Sequence, residues 1–95
     1  MAENSQIKIL LIDDDKFLLD MYSMKFKKSG LEIDTSSNSL SALEKIRTNV
    51  YNIILMDIIM PGMDGLDLLK KIREEKLLPE STIIMLTNQA DDFDK

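Results

Sequence analysis

The chain has 95 residues, 44% of them hydrophobic and 31% charged, which is enough for one small domain with a thin core. Twelve basic against seventeen acidic side chains leave a net charge of −5, so the basic footprint of a nucleic-acid-binding surface is excluded. Cysteine and histidine are both absent, which excludes disulfides, thiolate and imidazole metal sites and imidazole bases together, and leaves oxygen as the only metal donor.

Residues 1–6 are polar and no apolar run approaches the roughly eighteen residues of a membrane span. A cytoplasmic location is expected. Residues 7–12, Ile-Lys-Ile-Leu-Leu-Ile, run almost continuously apolar up to Asp13, Asp14 and Asp15, and predict a strand buried on both faces. From 16 to 29 apolar residues recur at Phe17, Leu18, Met21, Tyr22, Met24 and Phe26, with Asp14 or Asp15 placed as N-cap and Gly30 as stop. That predicts a helix with a wide buried face. Residues 31–35 alternate apolar and polar and fit an edge strand. Leu40, Leu43, Ile46 and Val50 then mark a second helix through about Arg47, behind a serine-rich stretch at 36–39 that offers several capping oxygens.

Residues 52–56 end in Ile53, Ile54, Leu55 and Met56 and predict a second fully buried strand, again with a carboxylate, Asp57, at its downstream end. The stretch 60–65 carries one proline and two of the three glycines and predicts a loop. Leu66, Leu69 and Ile72 mark a third helix and Pro79 a connection. Residues 82–87, Thr-Ile-Ile-Met-Leu-Thr, predict a third buried-type strand, with a polar stretch at 88–95.

Strands alternating with helices imply a parallel sheet with right-handed crossovers and helices on both faces, a three-layer α/β/α architecture. Ligands of such sheets lie beyond the carboxyl ends of the strands. Asp13, Asp14, Asp57 and Thr87 converge there. Three carboxylates in one crevice raise one another's pKa unless a cation sits between them, and with only oxygen donors available that cation is Mg²⁺. Mg²⁺ held this way implies a phosphoryl group as its other ligand. Asp15, by contrast, reads as a helix cap. Asp57 is separated from the next helix by the turn at Met60, Pro61 and Gly62 and cannot be its cap.

Ile12-Asp13-Asp14-Asp15, the block from Leu55-Met56-Asp57 to Met63-Asp64-Gly65, and Leu86-Thr87 together resemble the receiver domain of two-component response regulators, over the chain from about Lys8 onward. The resemblance implies a flavodoxin-like (CheY-like) sheet of strand order 2-1-3-4-5. It also implies a phosphorelay switch that takes a phosphoryl group from a histidine kinase or phosphotransfer protein, with self-catalysed transfer and dephosphorylation as its only chemistry. Asp57 matches the phosphoacceptor, and Asp13, Asp14 and Asp57 match the Mg²⁺ ligands. Ile59 matches the position whose backbone carbonyl completes the metal shell. Thr87 matches the hydroxyl that hydrogen-bonds the phosphoryl oxygen, and Pro61 and Gly65 match residues shaping the loop. Asn88 stands where the family places a small residue.

A full receiver continues with a fourth helix, a fifth strand bearing a phosphate-contacting lysine, and a fifth helix. The expectation for 1–95 is therefore a receiver domain that is incomplete at its C-terminus, lacking the last strand and helices. An alternative of a different class follows: a receiver-derived fragment that dimerises or exchanges segments through the open sheet edge at 82–87. A magnesium-dependent phosphatase with an aspartate nucleophile is disfavoured, because such a site wants a second aspartate at the position of Ile59.

Overall fold

In the computed structural model, residues 7–60 and 62–86 are described. β1 (Lys8–Ile12), α1 (Lys16–Lys28), β2 (Glu32–Ser36), α2 (Ser39–Thr48), β3 (Ile53–Asp57), α3 (Gly65–Glu74) and β4 (Thr82–Leu86) alternate along the chain. The strands form one sheet of order β2-β1-β3-β4, and every neighbouring pair is parallel. β1 and β3, the two runs with almost no polar interruption, take the central places that require apolar side chains on both faces. The alternating β2 lies at an edge, as its pattern predicts.

Ile9 and Leu11 of β1 point to the α1 side, where they pack with Leu19, Ile33 and the partly buried Phe26, Leu31, Ile53 and Leu55. Leu10 and Ile12 point to the other side and join Ile54, Met56, Ala42, Leu43, Ile46, Leu68 and Ile72 in the larger core under α2 and α3. A period of two along each strand thus feeds two separate cores. Among the described residues no helix is long and apolar enough to cross a membrane.

Asp15 caps α1, its carboxylate accepting from the N–H groups of Phe17 and Leu18. Gly30, at φ +85°, ends it: the Gly30 N–H donates to Lys27 O and the Leu31 N–H to Phe26 O, a Schellman closure in which Leu31 and Phe26 join the same core. α3 closes the same way with Lys76 (φ 56°) in the left-handed position and the Leu77 N–H on Ile72 O.

The inward faces of the helices differ from the sequence reading. α1 buries Leu19, while Phe17, 75% exposed, and Met24, seven positions on, share an outward stripe. The wide buried face predicted for α1 is therefore narrow, because only the stripe through Leu19 and Phe26 meets the sheet. α2 buries Ser39, Ala42, Leu43 and Ile46, spaced i, i+3, i+4, i+7; Leu40 faces solvent and Val50 lies past the helix end. In α3 the inward residues are Gly65, Leu68 and Ile72, and Leu66 is exposed.

β4, whose residues are patterned for cover on both faces, stands at the open edge expected of a 2-1-3-4 sheet and, among the described residues, is covered on one face. Ile83 and Met85 pack against the larger core, and Ile84 and Leu86 are exposed on the opposite face. Thr87, Pro61 and residues 88–95, Asn88 among them, lie outside the described residues.

Candidate functional site

β1 and β3 are adjacent and parallel, with Ile12 opposite Met56, so the residues that follow these positions emerge side by side at one end of the sheet. Asp13 and Asp14 leave β1 there and Asp57 ends β3. Each of the three offers a carboxylate oxygen, and these atoms all lie within 4.8 Å of one another. Asp57 is 2% and Asp13 8% exposed, whereas Asp14 faces solvent, so the cluster is a partly enclosed acidic pocket with one open side.

Local hydrogen bonds fix its geometry. Asp13 Oδ1 accepts from the Asp15 N–H at 3.0 Å, and Asp57 Oδ1 accepts from the Ile59 N–H at 3.3 Å. Both carboxylates are thus aimed by the backbone two residues downstream. Burial is the main force pushing the Asp13 carboxyl above the ordinary aspartate range; the Asp15 N–H opposes it, and the charges of Asp57 and Asp14 add to it. A buried carboxylate that resists ionisation beside two others favours a cation among them.

The loop after Asp57 is held at both ends. The Ile58 N–H donates to Leu86 O of β4, and the Gly65 N–H donates back to Ile58 O at 2.8 Å. Asp64 caps α3 by accepting from the Asp67 N–H, which leaves Asp57 outside any capping role, as its spacing predicts. Ile59 is exposed beside the pocket, and its N–H bond to Asp57 keeps its backbone next to the carboxylate.

Two residues of this region escape the sequence reading. The 36–39 stretch reads there as a source of capping oxygens, yet Asn38 alone caps α2, accepting from the Ser41 N–H at 2.8 Å. Ser36 and Ser39 are buried instead: the Ser36 hydroxyl donates locally to Asn38 O, and the Ser39 hydroxyl makes a tertiary bond to Met63 O. The signal was present: Ser39 stands at i−3, i−4 and i−7 from Ala42, Leu43 and Ile46, on the buried stripe of α2.

This fold and this pocket define a class, and the comparisons agree on it. Residues 9–95 match the family described as the response regulator receiver domain, and the chain belongs to that family. It is 35% identical over 88 residues to the transcriptional regulatory protein CpxR homolog of Haemophilus influenzae, covering 93% of this chain and 37% of that protein. It is 33% identical over 88 residues to the alkaline phosphatase synthesis transcriptional regulatory protein PhoP of Bacillus subtilis, covering 93% and 36%. The chain therefore spans a little over a third of the length of these curated relatives. Among solved structures, response regulator protein TrrA of Thermotoga maritima, in complex with Mg(2+)-BeF, superposes with a TM-score of 0.77 at 34% identity, over 86% of this chain and 70% of that one. The chain is thus a phosphoacceptor-type signalling module of two-component systems, with an acidic triad typical of the Mg²⁺ site of receivers.

Proposed function

We propose that this chain receives a phosphoryl group on Asp57 from a histidine kinase or phosphotransfer protein, with Mg²⁺ held by Asp13, Asp14, Asp57 and the backbone carbonyl of Ile59. The observation that carries the reading is the convergence of three carboxylates from two strand ends to within 4.8 Å. The donor set fits the ion: all oxygen, multiply charged, open on the Asp14 side for waters and a phosphoryl oxygen, with no histidine or cysteine in the chain to favour a softer metal.

Bound there, Mg²⁺ supplies charge neutralisation for the transferring phosphoryl oxygens. Asp57 supplies the nucleophile. One of its carboxylate oxygens attacks phosphorus, the P–N bond of the donor phosphohistidine breaks, and the imidazole leaves with that electron pair and gains a proton from solvent. The product is an acyl phosphate on Asp57. The Ile59 N–H holds the carboxylate for in-line attack, and the Thr87 hydroxyl is assigned to the arriving phosphoryl oxygen. Hydrolysis of the acyl phosphate resets the switch.

Incubation with acetyl phosphate and Mg²⁺ tests this by intact mass. The wild-type chain gains one phosphoryl group, and Asp57→Ala gains none; an equal gain in the variant refutes the assignment.

A second reading, self-association through the outer strand, draws on the exposure of Ile84 (42%) and Leu86 (40%) on β4. Sedimentation at rising concentration separates the two readings: a dimer that Ile84→Lys abolishes supports association, and a wild-type monomer at high concentration removes it.

A further inference from the structure

The two loops that carry the acidic ligands are joined by a short path of hydroxyls that none of the chemistry above uses. At the end of β2 the Ser36 carbonyl accepts from the Asp13 N–H at 3.1 Å, which ties the strand end to the first ligand. The Ser36 hydroxyl donates onward to Asn38 O at 3.0 Å, the carbonyl that also accepts the first helical bond of α2 from the Ala42 N–H. One residue later the Ser39 hydroxyl donates to Met63 O, 24 positions away in the loop that follows Asp57. Ser36 is 4% and Ser39 3% exposed. A buried hydroxyl that lost its partner would forfeit its hydration without compensation, so both bonds hold firmly.

These bonds have a direction in the fold. Ile58 and Gly65 pin the two ends of the loop to β4 and to each other, and between them Met63 is tied to α2 by the Ser39 hydroxyl. Moving α2 away from β2, or Met63 away from α2, changes where Ile59 sits relative to Asp13. We propose that Ser36 and Ser39 form a hydroxyl brace that sets the spacing between the Asp13 side and the Asp57–Ile59 side of the pocket, and that they are positioning residues for Mg²⁺. The inference deepens the metal reading above and rests on it for its binding arm, while its structural arm stands without metal.

The test uses the 95-residue chain and the variants Ser39→Ala, Ser39→Gly, Ser36→Ala and Ser36→Ala/Ser39→Ala. In the first arm Mg²⁺ is titrated and followed by amide chemical shifts. Ser39→Ala weakens Mg²⁺ binding by roughly threefold to tenfold, at or below the low end of what loss of a metal site's outer partners costs. Ser39→Gly weakens it equally, although alanine and glycine differ in helix stability, and the double variant is no worse than the stronger single one, because either break opens the same path. In the second arm amide hydrogen exchange is measured without metal. Ser39→Ala accelerates exchange at Ile59 and Gly65 more than at Ala42 and Leu43, whereas a general loss of stability would accelerate all four together. Wild-type affinity and exchange in a folded Ser39→Ala overturn the brace. A wild-type chain that binds no Mg²⁺ overturns the metal reading instead, and the exchange arm then decides the brace alone: selective acceleration supports it and uniform acceleration removes it.

Discussion

Gly65 lies so close to Asp57 that a Cβ added to it would meet the Asp57 carbonyl oxygen at 2.6 Å and the Ile58 Cα at 2.9 Å. α3 therefore starts directly against the end of β3, and the strand end carrying the proposed phosphoacceptor is held by helix packing as well as by hydrogen bonds.

Gly65→Ala is a competition between two effects. Alanine improves helix propensity by up to about 1 kcal/mol, but both clashing atoms are backbone and cannot rotate away. The clash wins, with a net destabilisation of about 1–3 kcal/mol by urea unfolding. A variant as stable as the wild type would mean that α3 can slide from β3.

Asp13→Asn separates stability from metal binding. The folded-state pKa of Asp13 is raised, so the unfolded chain ionises first, and above that raised value the buried charge works against folding. Below the ordinary aspartate range the group is protonated in both states and contributes nothing. Asn keeps an oxygen for the Asp15 N–H. The variant is therefore more stable than wild type near pH 7 in the absence of metal; the gain begins to shrink as pH falls through the raised pKa and is gone below the ordinary aspartate range. Mg²⁺ raises the melting temperature of the wild type and not of the variant. Thermal scans at several pH values, with and without Mg²⁺, check both signs.

Tyr51→Phe reports on the far end of the molecule. Tyr51 is fully buried just before β3, and its hydroxyl donates to Asp34 Oδ2 at 2.7 Å; burial, and then that bond, push its phenol pKa upward. The ring still fills its place in the variant, so the loss is that of one hydrogen bond, about 1 kcal/mol. Phosphoryl uptake from acetyl phosphate stays at the wild-type level, because the site lies at the opposite end of β3.

What the sequence made legible, and what it hid, follows from which physical signal each residue leaves. Asp13 and Asp57 stand out because each ends an apolar run, and parallel topology brings such ends together. β2 declared itself an edge by alternation. The inward side of α1 did not, since Phe17, Leu18 and Leu19 are contiguous and apolar, and spacing alone does not choose Leu19 over Phe17. The edge place of β4 was legible from the strand order, although Ile83 to Leu86 carries no alternation and is patterned for a central strand. Ser36 and Ser39 were hidden by their company, because serines before a helix read as caps.

The central claim is that Asp57, and neither of the two carboxylates beside it, takes the phosphoryl group. Treatment with acetyl phosphate and Mg²⁺, followed by borohydride reduction, converts an aspartyl phosphate into homoserine at the modified position, and peptide mass mapping then locates it. Homoserine is expected at position 57 alone and is lost when Mg²⁺ is omitted. Homoserine at position 13 or 14, or phosphoryl uptake undiminished in Asp57→Ala, would contradict it.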